Sequence, residues 1–272
     1  MDTSHRFDEA PLAAAALRPL KVPGFLLGVS LGGFFDGVLL HQVLQWHHLL
    51  SAVQVAQDLR QQLLADGLFH ALMYLLALIA LWGLWRRRAA LGQAGAGPLL
   101  WGMALIGFGT WHALDAVLSH WLLGIHRIRM DASQPLLWDL GWVVVFGLVP
   151  LLMGAWALRR RGPPSDGGGG RGAAVSLALA AVFAGPLAAR APQGLDQTVV
   201  LFAPGVSPGQ AHKALAAVQA RIVWVDGSGG VWGVVLEEPA ARWALHRRGA
   251  LFVGQGALAG GCVSWTRPGQ AL

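Results

Sequence analysis

Residues 36–48 read Asp36-Gly-Val-Leu-Leu-His41-Gln-Val-Leu-Gln-Trp-His47-His48, and the pattern returns as Asp115-Ala-Val-Leu-Ser-His120-Trp-Leu-Leu-Gly-Ile-His126-Arg127. In both stretches a His follows the Asp after five residues, and a second His follows after six more. Carboxylates and imidazoles are costly inside a bilayer unless they have partners. Because the surrounding sequence is apolar, the two copies predict one shared polar site between two membrane-spanning helices.

The composition is that of a membrane protein. The 272 residues are 55% hydrophobic and only 12% charged, whereas soluble domains carry about 25% charged residues. Apolar stretches of roughly 20 residues, enough to span a bilayer, begin near Val22, Leu68, Leu99, Leu136 and Ala173. We therefore expect five spans and the lipid bilayer as a partner, with the fifth span shortened by Gly185-Pro186.

Basic residues predict the orientation. Arg86–Arg88 follow the second span, Arg159–Arg161 follow the fourth, and Arg18 and Lys21 precede the first. The positive-inside rule places these groups in the cytoplasm. We expect a multi-pass membrane protein with a cytoplasmic N-terminus. The pI of about 10.9 then reflects topology, and no nucleic-acid partner is expected, since no basic groove interleaved with aromatic residues is present.

A repeat extends beyond the first helix of each half. Asp66 lies 20 residues before Arg86, and Asp139 lies 20 residues before Arg159. The first helices are related by an offset of 79 residues and the second helices by 73. The prediction is an all-α membrane bundle made of two duplicated transmembrane helical hairpins plus a fifth helix, with a pseudo-two-fold axis along the membrane normal.

Helical periodicity predicts that the polar groups converge. At about 100° per residue, a continuous helix places Asp36 and His47 roughly 20° apart, and also His41 and His48. Asp66 and His70 are i,i+4 neighbours on one helix face. We predict a metal site in the outer half of the bundle, with the aspartates either ligating or orienting the imidazoles. The candidate residues are Asp36, His41, His47, His48, Asp66, His70, His112, Asp115, His120, His126 and Asp139.

The ligand types suit a transition metal ion: zinc, iron, manganese or copper. The spans contain no glutamate, which argues against the Glu-x-x-His pattern of di-iron bundles. We favour redox chemistry or metal handling in the cell envelope. The alternatives are a zinc-dependent membrane hydrolase, a b-haem held by His41 and His120, a proton or cation path through Asp36 and Asp115, and Asp-His pairs without metal. Whether the protein is an enzyme stays open.

Two stretches of the chain resemble a bacterial family of predicted inner-membrane proteins of unknown function. They are Gly32-Gly33-Phe34-Phe35-Asp36-Gly37-Val38-Leu39-Leu40-His41-Gln42-Val43-Leu44-Gln45-Trp46-His47-His48 and Asp66-Gly67-Leu68-Phe69-His70. The resemblance covers roughly residues 22–158. It implies four spans and these motif positions, and it implies no activity. His126-Arg127 departs from the doubled His that the family pattern implies.

The remaining chain predicts a linker and a second domain. We divide the chain into a cytoplasmic tail (1–21), the duplicated four-helix bundle (22–160), a Gly/Pro-rich linker (161–172), the fifth helix (173–190) and a periplasmic domain (197–272). The pattern of residues 198–253 predicts βαββαβ, the order of a ferredoxin-like α+β domain. We expect this domain to bind a periplasmic protein partner. The single cysteine, Cys262, excludes an internal disulfide.

Overall fold

The structure is a computed structural model that describes residues 15–44, 46–54, 58–159, 169–188, 197–238 and 240–254. Cys262, most of the N-terminal tail and most of the predicted linker lie outside the described residues. The described part of the chain is mostly helical and has a small antiparallel sheet toward its C-terminal end.

Helices form at all five predicted positions: α1 (Lys21–Asp36), α2 (Leu59–Arg86), α3 (Ala96–Asp115), α4 (Pro135–Arg159) and α5 (Gly169–Ala188). The middle of α4, Val143–Leu148, is π-helical. Asp58 caps α2, since its Oδ1 accepts a hydrogen bond from the backbone N–H of Arg60 at 2.9 Å. Within the part of the chain that the structure describes, three helical stretches are long and apolar enough to cross a membrane: Ala15–His41, Leu59–Arg86 and Pro135–Arg159. The apolar part of α5, Gly169–Phe183, is shorter, and the helix continues through Pro186 instead of ending there.

The helices that carry the repeated motif do not continue as α-helices to the second His. The chain is π-helical over Gly37–Val43 after α1 and over Ala116–Leu122 after α3. It then leaves helical structure, so His47 and His126 lie in loops. The predicted arc, which assumed one α-helix through His48, is therefore wrong in its geometry.

Helices α1 and α3 cross in direct backbone contact. A Cβ atom added to Gly28 would overlap the backbone of Ala104, and one added to Gly107 would overlap the carbonyl oxygen of Phe25. Only glycine permits such an approach. The two contacts are equivalent under the sequence repeat, because Phe25 corresponds to Ala104 and Gly28 to Gly107 at the same offset of 79 residues.

The C-terminal region forms a four-stranded antiparallel sheet with two helices. In chain order these are β1 (Thr198–Phe202), α6 (Pro208–Ala216), β2 (Arg221–Val225), β3 (Val231–Val235), α7 (Ala241–His246) and β4 (Ala250–Gly254). The strand order is β2-β3-β1-β4, with Val200 of β1 opposite Trp232 of β3 and opposite Val253 of β4.

Both faces of this sheet are covered. On one face Val200 and Phe202 pack with Leu215 and Leu245 of the two helices. On the other face Val199 and Leu201 pack against the first turns of α2, including Leu63 and Leu64. The sheet therefore lies over the end of α2 that carries Asp66.

Candidate metal centre

The structure assembles the repeated motif into two groups of three residues. Asp36, His41 and His47 form the first triad, and Asp115, His120 and His126 form the second. In each triad one ligand atom per residue lies within 4.8 Å of the others, and all six residues are buried. The Nε2 atoms of His120 and His126 lie 3.1 and 3.6 Å from Asp115 Oδ2.

The π-helical turns explain how the Asp and the first His meet. On an α-helix of about 100° per residue, positions five apart point about 140° away from each other. A π-helix bonds i to i+5 and so brings the fifth residue about one turn above the first. Asp36 precedes one π segment that contains His41, and Asp115 precedes the other, which contains His120. Such segments occur frequently at functional sites.

The second His of each motif is held by the opposite loop. His47 Nδ1 donates to the carbonyl oxygen of Ile128 at 2.9 Å, and His126 Nδ1 donates to that of Leu49 at 3.0 Å. In both cases the acceptor lies two residues after the opposite histidine. The two imidazoles stack with centroids 4.5 Å apart and planes 7° from parallel, which joins the two triads.

Asp66 and Asp139 lie behind the first His of each motif. Asp66 Oδ1 is 3.1 Å from His41 Nδ1, and Asp139 Oδ1 is 3.1 Å from His120 Nδ1. The same oxygens accept from the backbone N–H groups of Leu49 at 2.9 Å and of Ile128 at 3.0 Å. These two carboxylates therefore contact the outward nitrogen of an imidazole, the position of groups that orient metal-binding histidines.

His48 and Arg127 occupy equivalent places. His48 Nδ1 is 2.6 Å from Asp66 Oδ2, and Arg127 donates to Asp139 Oδ2 at 2.8 Å. The two residues are 79 apart in sequence. The replacement of the doubled His by Arg127 thus keeps a cationic or donor group on the same carboxylate oxygen.

All four triad histidines are arranged to present Nε2 to the interior. A carbonyl oxygen can only accept, so His47 and His126 carry their proton on Nδ1 and a lone pair on Nε2. Among the described residues, the Nε2 atoms of His41, His47 and His126 and Oδ1 of Asp36 have no hydrogen-bond partner. Burial lowers the pKa of His47 well below its usual range, and the neighbouring His41 and His126 lower it further. The lone pairs on Nε2 of His47 and His126 and the buried carboxylates beside them fit a cation.

His70 and His112 are not brought into either triad. His70 lies beside the first triad, with its ring centroid 6.5 Å from that of His41. His112 accepts a hydrogen bond from Trp142 Nε1 at its Nδ1, 3.1 Å away, and packs edge-on against Phe108. Its proton is therefore on Nε2, the opposite arrangement to His47 and His126.

Several groups that shape the site were not predicted from the sequence. The carbonyls of Leu49 and Ile128 carry no side-chain signal, since any residue supplies a carbonyl. Trp142, which donates to His112, had no signal beyond its aromatic type. Arg127 did carry a signal, because it stands where the repeat has His48.

No curated protein and no solved structure matches this chain. One family does, and it matches residues 23–161, which is more than half of the 272 residues. That segment contains both triads together with Asp66 and Asp139. The chain therefore belongs to the family described as Predicted membrane protein (DUF2243).

Proposed function

We propose that this chain is an integral membrane metalloprotein that binds transition metal ions at the two triads. The main observation in support of the proposal is the orientation of the four triad imidazoles. Each Nδ1 contacts a carbonyl or carboxylate oxygen, and each Nε2 is left for the interior, where Asp36 and Asp115 lie. The buried carboxylates of Asp36 and Asp115 need a cation or a proton for compensation, and a metal ion would also use the imidazole nitrogens beside them.

The proposed ligands are Asp36, His41 and His47 for one ion and Asp115, His120 and His126 for the other. Asp66, Asp139 and His48 would act by orienting the ligands. Nitrogen and oxygen ligands without thiolates suit iron, copper or zinc. Three protein ligands per ion leave coordination positions open, which fits redox chemistry or metal handling in the cell envelope.

We further propose that the bundle arose by internal duplication. The recurring features support this: the Gly28–Ala104 and Gly107–Phe25 approaches, the π-helical segments that follow α1 and α3 and the exchange of hydrogen bonds between the loops. Each pair is related by the same 79-residue offset. For the C-terminal domain, the order βαββαβ and the strand order β2-β3-β1-β4 support a ferredoxin-like assignment.

The proposed location is the bacterial inner membrane, with the C-terminal domain on the periplasmic side. Arg86–Arg88 at the end of α2 and Arg159 at the end of α4 support the orientation. Arg127 and Arg129 lie at the other end of the bundle, and each pairs with a carboxylate at 2.8 Å, Asp139 and Asp131 respectively. Their charge is thereby compensated on the side where few cations are expected.

Three alternatives make different claims about the same residues. A zinc hydrolase would use the same ligands and an Asp as general base. A b-haem between His41 and His120 conflicts with the ring of His47, which lies 4.7 Å from His41 and 6.4 Å from His120. A proton path would use Asp36 and Asp115 with protons in place of metal.

The test is the metal content of the detergent-purified full chain, with an optical spectrum of the same sample. We expect up to two ions per chain, and we expect His47→Ala with His126→Ala to remove them. His212→Ala, at an exposed histidine of α6, is the control. Colourless zinc would favour the hydrolase and a Soret band would favour haem. Absence of metal after reconstitution would overturn the proposal in favour of proton-linked Asp-His pairs.

A further inference from the structure

The level of Leu68 in the bilayer follows from its position along α2. The proposed orientation puts Arg86, the last residue of α2, at the cytoplasmic boundary of the membrane. Leu68 precedes Arg86 by 18 residues, so it lies about 27 Å from that boundary along the helix. Because the hydrocarbon core is about 30 Å thick, Leu68 lies just inside the outer boundary of the core. Its side chain is 72% exposed, as expected of a residue that faces lipid.

Strand β4 of the C-terminal sheet reaches the same level. A cavity of about 310 Å³ between α2 and the sheet is lined by Gly67 and Leu68 of α2 and by Leu251 and Phe252 of β4, among other residues. Leu251 therefore lies close to Leu68, and its side chain is 52% exposed. An apolar side chain of the sheet is thus presented at the outer boundary of the hydrocarbon core.

The other edge of the sheet lies farther from the membrane. A Cβ atom added to Gly230, at the turn before β3, would lie 2.7 Å from Cδ of Arg60. Arg60 precedes Leu68 by eight residues, which is about 12 Å along the helix. In the strand order β2-β3-β1-β4, a spacing of about 4.8 Å between neighbours puts β2 about 14 Å from β4. The sheet therefore crosses α2 with β4 on the membrane side and β2 on the outer side.

Aromatic and basic residues gather beside β4. His246 of α7 donates from Nδ1 to the carbonyl oxygen of Ala250 at 2.8 Å, and the ring of Trp243 lies 6.0 Å from the ring of His246. The side chain of Trp243 is 75% exposed. Arg247 and Arg248, both exposed, connect α7 to β4. Tryptophan and long basic side chains are typical of the headgroup region of a bilayer.

We propose that the β4 edge of the C-terminal domain is a membrane-contact surface. Leu251 and Trp243 contact lipid of the outer leaflet, and Arg247 and Arg248 pair with phosphates of anionic phospholipids. Two features of the structure argue for lipid as the occupant. The surface is continuous with the lipid-facing side of α2 at Leu68, and its arginines match the charge of anionic headgroups. The inference uses the proposed orientation of the chain but does not depend on the metal.

The test measures the quenching of a fluorescent label by nitroxide lipids in nanodiscs that hold the full chain. The labels are attached to single-cysteine variants in which Cys262, the only natural cysteine, is replaced by serine. A label at Leu251→Cys should lose as much fluorescence to a nitroxide near the top of the acyl chain as a label at Leu72→Cys, one helical turn after Leu68. Leu72 is 49% exposed on α2.

Val223 provides the matched control. It is 45% exposed and apolar like Leu251, but it lies on β2 at the outer edge of the sheet. A label at Val223→Cys should keep its fluorescence in the same nanodiscs. Equal quenching at Leu251→Cys and Val223→Cys, or no quenching at Leu251→Cys, would overturn the inference.

A second comparison tests the arginines. Nitroxide-labelled phosphatidylglycerol should quench the label at Leu251→Cys more strongly than nitroxide-labelled phosphatidylcholine at the same mole fraction, because the arginines concentrate anionic lipid nearby. Arg247→Gln with Arg248→Gln should remove this preference, whereas Arg221→Gln, on β2, should leave it intact. Absence of the preference, or its survival in the double variant, would overturn the pairing with lipid phosphates.

Discussion

Nδ1 of each triad histidine contacts an oxygen atom of a residue outside the triads, and for His41 and His120 that residue is Asp66 or Asp139. Each carboxylate contacts an imidazole Nδ1, a loop backbone N–H, and either His48 or Arg127. A single carboxylate therefore contacts one triad histidine and also the loop that carries the next one.

Asp66→Asn and Asp139→Asn should each weaken metal binding. The amide keeps the size of the side chain but removes its charge and one acceptor, and loss of an orienting carboxylate typically costs about 10–100-fold in metal affinity. Competition with a chromophoric chelator measures the effect. Asp131→Asn is the matched control, because Asp131 pairs with Arg129 at the surface and its side chain is 59% exposed. Full affinity in both site variants would mean that these carboxylates have no role in orientation.

The equivalence of His48 and Arg127 gives a test of whether His48, which the sequence suggested as a metal ligand, binds metal directly. If His48 serves Asp66 as Arg127 serves Asp139, His48→Arg should retain the metal. His48→Leu should lose about tenfold or more in affinity, since it leaves Asp66 Oδ2 without its donor. Metal content of both variants decides the matter. Loss of one ion in His48→Arg, with the protein still folded, would identify His48 as a ligand.

At the scale of elements, the sequence predicted much of the helical framework but not its local winding. Apolar stretches gave the five helices, and alternation with turn residues gave strands close to those observed, such as Thr198–Phe202. The π-helical segments are invisible to an analysis that assumes about 100° per residue. The repeat nevertheless marked Asp36, His41 and His47, which the structure brings together, because a sequence repeat does not depend on how the helix winds between its residues.

The close crossing of α1 and α3 is the element-scale feature with the clearest energetic consequence. Gly107→Ala places a methyl group against the carbonyl oxygen of Phe25, so the helices must separate. We expect destabilisation by about 1–3 kcal/mol, the usual range for overpacking. Gly141→Ala, on α4 and with open space at its Cβ position, should be neutral or stabilising by up to about 1 kcal/mol. Thermal unfolding of both variants in the same detergent provides the comparison, and equal midpoints would show that the crossing tolerates a side chain.

At the scale of the whole molecule, the two triads and the sheet come from different parts of the chain. Every triad residue, together with Asp66 and Asp139, lies within residues 36–139. Val199 and Leu201 of the sheet pack against Leu63 and Leu64 of α2. The sequence predicted the sheet as a separate partner-binding domain. It gave no sign that one sheet face covers α2, because Leu63 is far in the chain from Val199 and Leu201 and all three lie in plain apolar patterns.

Removal of residues 197–272 should leave the candidate metal site in place. The shortened protein should keep its metal stoichiometry, since no triad residue is removed. The deletion also exposes Leu63 and Leu64, so monodispersity is checked first by size-exclusion chromatography. A truncated protein that stays monodisperse but loses its metal would mean that the sheet supports the site itself.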